Sequence, residues 1–546
     1  MRSLFLAAAL LLAAPATART PRPNLPAPPP VRLVVAISVD QLSSDLFEEY
    51  RPLFTGGLAR LARQGTVFVN GYQAHAATET CPGHSTLLTG RHPAASGIIA
   101  NAWIDQDAAR RDKTIYCAED PRAPGSSFAN YTVSPEHLNA STLGERLKAA
   151  DGRSRNVAIA GKDRAAVMMG GRGVDQRWYW NGKAWATDLT GAAAPRTISA
   201  LNTLFAQSLA APREPLVAPP QCEARSKPFA VSPALTVGAG RLARTAGDAR
   251  AVRAHPEFDA AVLAGAAGLA QELQLGRGPA TDVLSIGLSA TDYVGHSYGG
   301  GGAEMCLQLL ALDRELGDFL TRMDASGVPY AVVLSADHGG MDIPERLRDR
   351  GNAQAQRADP ALAAGQMGRL LAPQFGRTES VLKGEGISGD IWLHATLPAA
   401  DRPRVLRAVV ERYRVHPQVF AVYTADELKR VPLPSGPRDR WSVIQRVRAA
   451  FDPARSGDLY VVLKPFVSPI AAPSPGYVAT HGSPWDYDRR VPIIFWRQGV
   501  APAERREAVD TVDILPTLGA MIGLAVPASS IDGRCLEGAA GVRCGR

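Results

Sequence analysis

The feature that most constrains the fold is a set of short, β-rich apolar segments, each followed closely by an acidic or polar residue. Near-continuous apolar segments of this length are typical of strands covered on both faces, as in a parallel sheet. Segments with helical spacing of apolar residues lie between them. The sequence therefore predicts an α/β fold with a doubly wound, mostly parallel central sheet flanked by helices. The predicted strands are Arg32–Val39, Val157–Ala160, Val283–Leu288, Tyr330–Leu334 and Pro492–Trp496.

Three helices are predicted between and after these strands: Met305–Leu320, Arg402–Tyr413 and the segment ILPTLGAMIG that follows Asp513. Asp401 and Asp513 are the expected N-caps of the last two. Ligands of doubly wound sheets bind beyond the carboxyl ends of the strands. We therefore expect the chemical residues to gather at that edge of the sheet.

The N-terminus predicts export. Arg2 precedes an apolar stretch, Leu4–Ala14, and then Ala16-Thr17-Ala18, which is the pattern of a secretory signal peptide over residues 1–18. The stretch is short for a membrane anchor, and no later segment is long enough to span a bilayer. A Pro-rich linker is expected at 19–30. The rest, 31–546, is predicted to be one catalytic domain with inserted cap segments at about 171–280 and 341–440, the second with a strand at Ile391–His394.

Charge argues against nucleic acid as a partner. The chain has 60 basic and 52 acidic residues, a net charge of +8, and its basic residues are scattered. A nucleic-acid site would need a concentrated basic face.

Six cysteines in an exported chain make three disulfides plausible. We expect Cys535 to pair with Cys544. Cys81 is either paired, with Cys117 as the nearest candidate, or a free thiol.

Aspartates and histidines recur at tight spacing in separated segments, and these ligand types suit Zn²⁺. Each segment alone is a weak signal, since D-x-x-x-H is often a surface ion pair and D-H-G a turn. Their shared position after predicted strands indicates a centre for two zinc ions. The residues are Asp40, which follows the first predicted strand; Asp292 and His296 in TDYVGHSYGG; Asp337 and His338 in SADHGGM; and His481 in THGSPW. The remaining histidines are interpreted as structural or surface residues: His75, His84, His92, His137, His255, His394 and His416.

The segment TETCPGHSTLLTG places Thr80 just before a predicted helix that begins near His84. A hydroxyl at that point lies near the positive end of the helix dipole, where anions bind. Thr80 is therefore either a nucleophile near a bound phosphate or a simple helix cap.

These segments together resemble the alkaline phosphatase superfamily. AISVDQ, TETCPGHSTLLTG, SATDYVGHSYG, SADHGGM and THGSPW occur in the order and spacing of that superfamily, over nearly the whole mature chain. Among its branches, the chain is most similar to the PafA-like secreted bacterial alkaline phosphatases with a threonine nucleophile.

The resemblance implies a role for each site residue. Thr80 would be the nucleophile that becomes phosphothreonine, and Asn101 would donate a hydrogen bond to a phosphoryl oxygen. Lys162 and Arg164 would be the cations that distinguish monoesterases. One zinc would be held by Asp292, His296 and His481, and the other by Asp40, Asp337 and His338, with Thr80 also a ligand of the second.

The implied activity is zinc-dependent hydrolysis of small-molecule phosphate monoesters. A nucleotide pyrophosphatase or phosphodiesterase of the same superfamily is the main alternative. A sulfatase would need a cysteine or serine in C-x-P-x-R, which the motif around Thr80 does not provide. A non-catalytic zinc-binding protein is a further alternative, and the complete ligand set argues against it.

Overall fold

A computed structural model of the chain describes residues 29–384 and 386–545. The predicted signal peptide and nearly all of the predicted linker lie outside the described residues. In the described part, no helix is both long enough and apolar enough to cross a membrane.

Strands occur along most of this length, and several are only two or three residues long. They are β1 Leu33–Val39, β2 Thr66–Tyr72, β3 Ala102–Ile104, β4 Thr114–Tyr116, β5 Asn156–Ala160, β6 Gln176–Trp180, β7 Trp185–Ala186, β8 Phe229–Ser232, β9 Leu235–Val237, β10 Asp282–Leu288, β11 Tyr330–Ser335, β12 Gln356–Arg357, β13 Leu382–Lys383, β14 Gly389–Leu393, β15 Val419–Thr424, β16 Leu459–Leu463, β17 Val467–Ser468, β18 Arg490–Arg497, β19 Ala503–Arg505 and β20 Val509–Asp510.

The α-helices lie between these strands. They are α1 Ser44–Tyr50, α2 Gly57–Gln64, α3 Thr80–Thr89, α4 Pro93–Ser96, α5 Leu143–Ala150, α6 Asp163–Gly170, α7 Arg196–Ala210, α8 Pro220–Glu223, α9 Pro256–Glu272, α10 Ala290–Tyr298, α11 Ala303–Ala325, α12 Pro344–Asp349, α13 Ala364–Leu371, α14 Arg402–Arg414, α15 Ala425–Arg430, α16 Val443–Ala450, α17 Asp486–Arg489 and α18 Ile514–Ile522.

The main sheet has ten strands in the order β19-β2-β18-β11-β1-β10-β5-β6-β7, with β20 also paired to β2. Its centre is parallel: β1 pairs with both β10 and β11, and β5 pairs with β10 and β6 in the same direction. Helices cover both faces, so the predicted α/β fold with a mostly parallel sheet is confirmed.

Strand β1 shows why this arrangement follows from the sequence. All seven residues of LVVAISV are buried. Leu33, Val35 and Ile37 belong to one apolar cluster, and Val34 and Ala36 belong to another on the opposite face. Side chains alternate across a strand, so only a continuous apolar segment can fill both cores.

The predicted strands and helices are all present, with ends that differ by a few residues. One difference is direction, because β18 runs antiparallel to both of its neighbours, β11 and β2. It lies inside the sheet and is buried on both faces, so its apolar pattern carries no information about direction. Asp401 and Asp513 stand at the predicted N-cap positions, but neither side chain accepts a hydrogen bond from its helix.

The two predicted insertions differ in their relation to this sheet. Residues 171–280 include β6 and β7 at the edge of the sheet and α9, which packs against β10. Residues 341–440 include three strands of a separate four-stranded sheet, β13-β14-β16-β15, with its own apolar core. The aromatic segment QRWYW was the sequence signal that part of the first insertion extends the main sheet.

All six cysteines form disulfides. Cys535 pairs with Cys544, as predicted, and Cys81 pairs with Cys117. The third bond joins Cys222 in α8 to Cys306 in α11.

Asp259 fixes the start of α10, which follows the carboxyl end of β10. Its Oδ1 accepts hydrogen bonds from the backbone N–H groups of Ser289 at 2.7 Å and Ala290 at 2.9 Å. Burial raises the pKa of Asp259 to about 6, although these two hydrogen bonds oppose the rise.

Asp259 therefore makes stability depend on pH. The folded chain binds this proton more tightly than the unfolded chain, so its stabilising contribution is complete below about pH 4 and is lost as the pH rises through about 6. Asp259→Asn keeps an acceptor but cannot titrate. Its free energy of unfolding should rise relative to wild type by up to about 3 kcal/mol between pH 4 and pH 7.

Denaturant unfolding at both pH values measures this difference. Asp259→Ala is the matched control, since it also cannot titrate but loses the acceptor, and it should be less stable than Asp259→Asn by about 1–2 kcal/mol at both pH values. A difference between Asp259→Asn and wild type that is the same at both pH values would contradict the assignment.

Candidate active site

Four parallel strands end at the same edge of the sheet, and each end supplies a polar side chain. Asp40 follows β1, Lys162 follows β5 and Asp337 follows β11, while Asp292 lies in the first turn of α10, just after β10. The pairing register aligns these ends, since Val39 lies opposite Leu288. The edge predicted from the sequence is therefore the place where these groups meet.

Three carboxylates are buried together at this edge. Asp40, Asp292 and Asp337 are each no more than 1% exposed. The ammonium of Lys162 lies between two of them, 2.7 Å from Asp40 Oδ2 and 2.5 Å from Asp292 Oδ2. Burial raises the pKa of Asp40 well above its usual range, and the neighbouring charges of Asp292 and Asp337 add to the effect. The single positive charge of Lys162 does not balance the negative charges of three buried carboxylates. A stable ionised site therefore needs further positive charge.

Three histidines surround these carboxylates with their Nε2 atoms facing inward. Nε2 of His296 and of His481 lie 3.3 and 3.4 Å from Asp292 Oδ1. Nε2 of His338 lies 3.5 Å from Asp40 Oδ1 and 3.3 Å from Asp337 Oδ2. The rings of His338 and His481 stack with centroids 3.5 Å apart.

The opposite nitrogen of each ring is held by the backbone. A ring Nδ1–H that donates to a carbonyl fixes the tautomer and leaves Nε2 with a free lone pair, as in metal-binding histidines. The Nδ1 contacts are His296 to the carbonyl of Ala479 at 2.7 Å, His338 to Gly339 at 2.8 Å, and His481 to Thr78 at 2.7 Å.

Burial lowers the pKa of His296 to about 4 and that of His338 to about 3. Both rings are therefore neutral near pH 7, which is the state that binds metal. Burial acts in the same direction on His481, but its hydrogen bond to Asp292 and the charge of that carboxylate raise its pKa overall.

The donor set fits divalent cations. Several buried atoms that can coordinate metal make ion-pair contacts at most and no hydrogen bond of good geometry, and buried polar atoms are rarely left so. They are both carboxylate oxygens of Asp40, Asp292 Oδ1, Asp337 Oδ2 and His338 Nε2. By distance, ligand atoms form two trios, each within 4.8 Å: Asp292 with His338 and His481, and Asp40 with His84 and Asp337.

These trios differ from the two ligand sets that the resemblance implies. By distance, His338 belongs with Asp292 and His481, although its Nε2 also lies 3.5 Å from Asp40 Oδ1. His84, interpreted from the sequence as structural or surface, is fully buried, with Nδ1 3.0 Å from Asp337 Oδ2 and 2.9 Å from the carbonyl of Thr80. All six predicted ligands are thus brought together, and their division between two ions stays a prediction.

Thr80 is the first residue of α3, which begins four residues earlier than the sequence predicted. Pro82 fits the first turn of a helix, where no backbone donor is needed. Gly83 is required because α3 passes directly against the backbone that follows β11: a Cβ there would come within 1.9 Å of the carbonyl oxygen of Asp337. The N-cap residue is Glu79, so Thr80 does not act as the helix cap.

Two cations face the Thr80 hydroxyl. Its Oγ1 lies 3.5 Å from Lys162 Nζ and 3.3 Å from Arg164 Nη2. Burial opposes the charge of Lys162, but Asp292 and Asp40 raise the pKa of its ammonium above the usual range. Both cations are charged at any physiological pH, and with the N-terminus of α3 they make this end of the sheet suitable for an anion.

Asn101 is held next to the first turn of α3, which carries Thr80. Its Oδ1 accepts a hydrogen bond from the backbone N–H of Cys81 at 2.8 Å, which leaves the amide NH₂ group free to donate. A cleft of about 670 Å³ opens above the site, and its lining includes Glu79, Asn101, Arg164, His296 and His481. Two of the predicted catalytic residues and two of the predicted metal ligands therefore line this cleft.

Sequence reasoning missed two supporting residues. Glu79 accepts a hydrogen bond from the backbone N–H of Asn101 at 2.6 Å. Asp488 accepts one from the backbone N–H of Ser483 at 2.9 Å, in the loop that carries His481. The only available signal for Glu79 was its place beside Thr80, and no pattern indicated Asp488.

Comparisons with known proteins agree with this geometry. The sequence model of the type I phosphodiesterase / nucleotide pyrophosphatase family matches residues 34–484. The chain is 51% identical over 514 residues to the alkaline phosphatase PhoK of a Sphingomonas species, covering 94% of this chain and 92% of that protein. It is 45% identical over 513 residues to the alkaline phosphatase PhoD of Zymomonas mobilis, covering 93% and 88%.

The fold matches a solved structure over almost its full length. The crystal structure of wild-type alkaline phosphatase PafA has a TM-score of 0.81 at 23% identity and covers 95% of this chain and 99% of that one. With the family match and the two curated relatives, this confirms the resemblance carried by the five motifs. The chain belongs to the type I phosphodiesterase / nucleotide pyrophosphatase family within the alkaline phosphatase superfamily.

Proposed function

We propose that the chain is an alkaline phosphatase that hydrolyses small-molecule phosphate monoesters through a phosphothreonine on Thr80. The observation that carries the proposal is the setting of Thr80 Oγ1. It stands at the N-terminus of a buried helix, 3.3 Å from Arg164 and 3.5 Å from Lys162, beside a cluster of carboxylates and neutral histidines. The names of the relatives PhoK and PhoD support the same activity.

We further propose that the site holds two Zn²⁺ ions. Asp292, His296 and His481 would bind one, and Asp40, Asp337 and His338 the other, with Thr80 next to the second. The buried carboxylate oxygens that make no hydrogen bond of good geometry and the fixed histidine tautomers support this set. When bound, zinc supplies Lewis-acid stabilisation of developing oxygen charge and lowers the pKa of the groups it coordinates.

The protein's own groups then define two displacement steps. Thr80 Oγ1 forms a bond to phosphorus while the bond to the ester oxygen breaks and the alcohol leaves. Water next attacks the phosphothreonine, so that inorganic phosphate leaves and the hydroxyl is restored. Lys162, Arg164 and the free amide of Asn101 are fixed donors for the charge that the phosphoryl oxygens carry in both steps.

The two cations favour monoesters over diesters. A monoester dianion has one more charged oxygen than a diester, and Arg164 presents a planar fork that can bind two oxygens. A diester would leave part of this charge unmatched. The family description includes phosphodiesterases, so diester cleavage is the second candidate activity. Lys162 and Arg164 favour monoesters, so we expect diester cleavage to be the weaker activity.

We infer that the protein acts outside the cytoplasm. The predicted signal peptide and three disulfides support an oxidising compartment. Its substrates would be small phosphate monoesters, with no nucleic-acid partner.

Removing the Thr80 hydroxyl tests the proposed nucleophile. Thr80→Ala should lower turnover of p-nitrophenyl phosphate by at least about 10³-fold, because no other group can carry the phosphoryl intermediate. Zinc content and the thermal midpoint should stay near wild type. Thr80→Ser keeps a hydroxyl and should retain measurable turnover, whereas turnover of Thr80→Ala within tenfold of wild type would contradict the assignment.

Arg164 gives the cleaner test of substrate class, because Lys162 also contacts two predicted metal ligands. Arg164→Ala should lower kcat/KM for p-nitrophenyl phosphate by about 10²-fold but that for bis-p-nitrophenyl phosphate by less than about 10-fold. Arg164→Lys keeps the charge and loses the fork, so it should fall between. An equal loss on both substrates would mean that Arg164 does not select monoesters.

A further inference from the structure

We propose that Glu79 is a positioning residue that orients Asn101 for phosphate, an inference that rests on the proposed function. Both residues line the cleft. The backbone N–H of Asn101 donates to Glu79 Oε2 at 2.6 Å, and among the described residues it has no other side-chain acceptor. A bond to an ionised carboxylate is shorter and stronger than one to a neutral acceptor.

Glu79 and Cys81, which flank the nucleophile, both hold Asn101. The Glu79 carboxylate accepts a hydrogen bond from the backbone N–H of Asn101. The Asn101 side-chain Oδ1 accepts a second one from the backbone N–H of Cys81 at 2.8 Å. Because the amide oxygen is used by the start of α3, the NH₂ group is the part of the side chain left to donate. Asn101 is thereby fixed relative to Thr80 at two points rather than one.

A third contact closes this unit. Asn101 directly precedes β3, and Cys117 directly follows its partner β4. The backbone N–H of Cys117 donates to the carbonyl of Asn101 at 3.0 Å, and the Cys117 side chain is bonded to Cys81. The β3–β4 hairpin is therefore joined at its base to the first turn of α3. Within this unit, Glu79 is the residue whose side chain holds the backbone N–H of Asn101.

The negative charge of Glu79 is unfavourable for binding an anionic substrate, and a neutral residue at this position would avoid that repulsion. Glu79 lines the same cleft as Arg164 and His481, where an anionic substrate must bind. A negative charge there repels a phosphate dianion. The contact to Asn101 gives a reason for a hydrogen-bond acceptor at this position in spite of its charge.

A double-mutant cycle on the zinc-loaded enzyme tests the inference. Asn101→Ala should lower kcat/KM for p-nitrophenyl phosphate by about 10²-fold, and Glu79→Ala by about 10-fold through loss of alignment. If Glu79 acts through Asn101, adding Glu79→Ala to Asn101→Ala should cost no more than about twofold. The inhibition constant of inorganic phosphate should follow the same pattern. Full additivity of the two losses, or no loss in Asn101→Ala, would overturn the proposal.

Two conservative variants keep the test decisive if Glu79→Ala does not fold. Glu79→Gln retains an acceptor at the same reach without charge and should stay within about threefold of wild type. Glu79→Asp retains the charge on a shorter side chain and should approach the loss of Glu79→Ala. The reverse order would show that charge rather than the hydrogen bond matters, and would overturn the proposal.

The outcome is distinguishable from failure of the proposed function. That function fails if the wild-type protein releases no phosphate from monoesters or if Thr80→Ala is fully active. The positioning role fails when the wild type and the nucleophile behave as proposed but the cycle shows no coupling.

Discussion

The whole site depends on burying three carboxylates at the ends of neighbouring strands. Asp40, Asp292 and Asp337 reach one another because β1, β10 and β11 are parallel and in register. Burial raises the pKa of Asp40, and the charges of Asp292 and Asp337 add to the rise, which the charge of Lys162 does not offset. Burial also opposes the charged forms of Asp292 and Asp337, but neighbouring histidines and Lys162 lower the pKa of both. An arrangement of this kind is stable in its ionised form only with additional cations. The sheet that brings the three carboxylates together therefore also creates the need for bound cations.

The rest of the structure serves to fix the groups around these carboxylates. Backbone carbonyls from three different segments orient His296, His338 and His481, so that their ligand atoms face inward before any ion binds. The α3 N-terminus, Lys162 and Arg164 gather positive charge around Thr80. Preorganised donors and charges of this kind are worth more in a buried site than in water, because they do not need to reorganise when the reaction occurs.

Residues that lie just after strands were predictable, and contacts made across loops were not. Asp40 and Asp337 follow apolar segments, so a parallel sheet brings them together by topology alone. The first turn of α3 was missed because Thr80, Cys81 and Pro82 are weak helix formers in isolation. The contact between Glu79 and Asn101 depends on how the β3–β4 hairpin packs on α3, which no local pattern encodes. The direction of β18 was hidden for a related reason, because burial on both faces gives the same sequence pattern in either direction.

Anomalous X-ray diffraction at the zinc edge, on crystals of the zinc-loaded protein, tests the central claim most directly. The account predicts two separate zinc peaks at the carboxyl edge of the sheet, one of them next to Thr80, and together contacted by Asp40, Asp292, Asp337 and the three histidines. A single peak, or peaks bound elsewhere with these carboxylates uncoordinated, would contradict it.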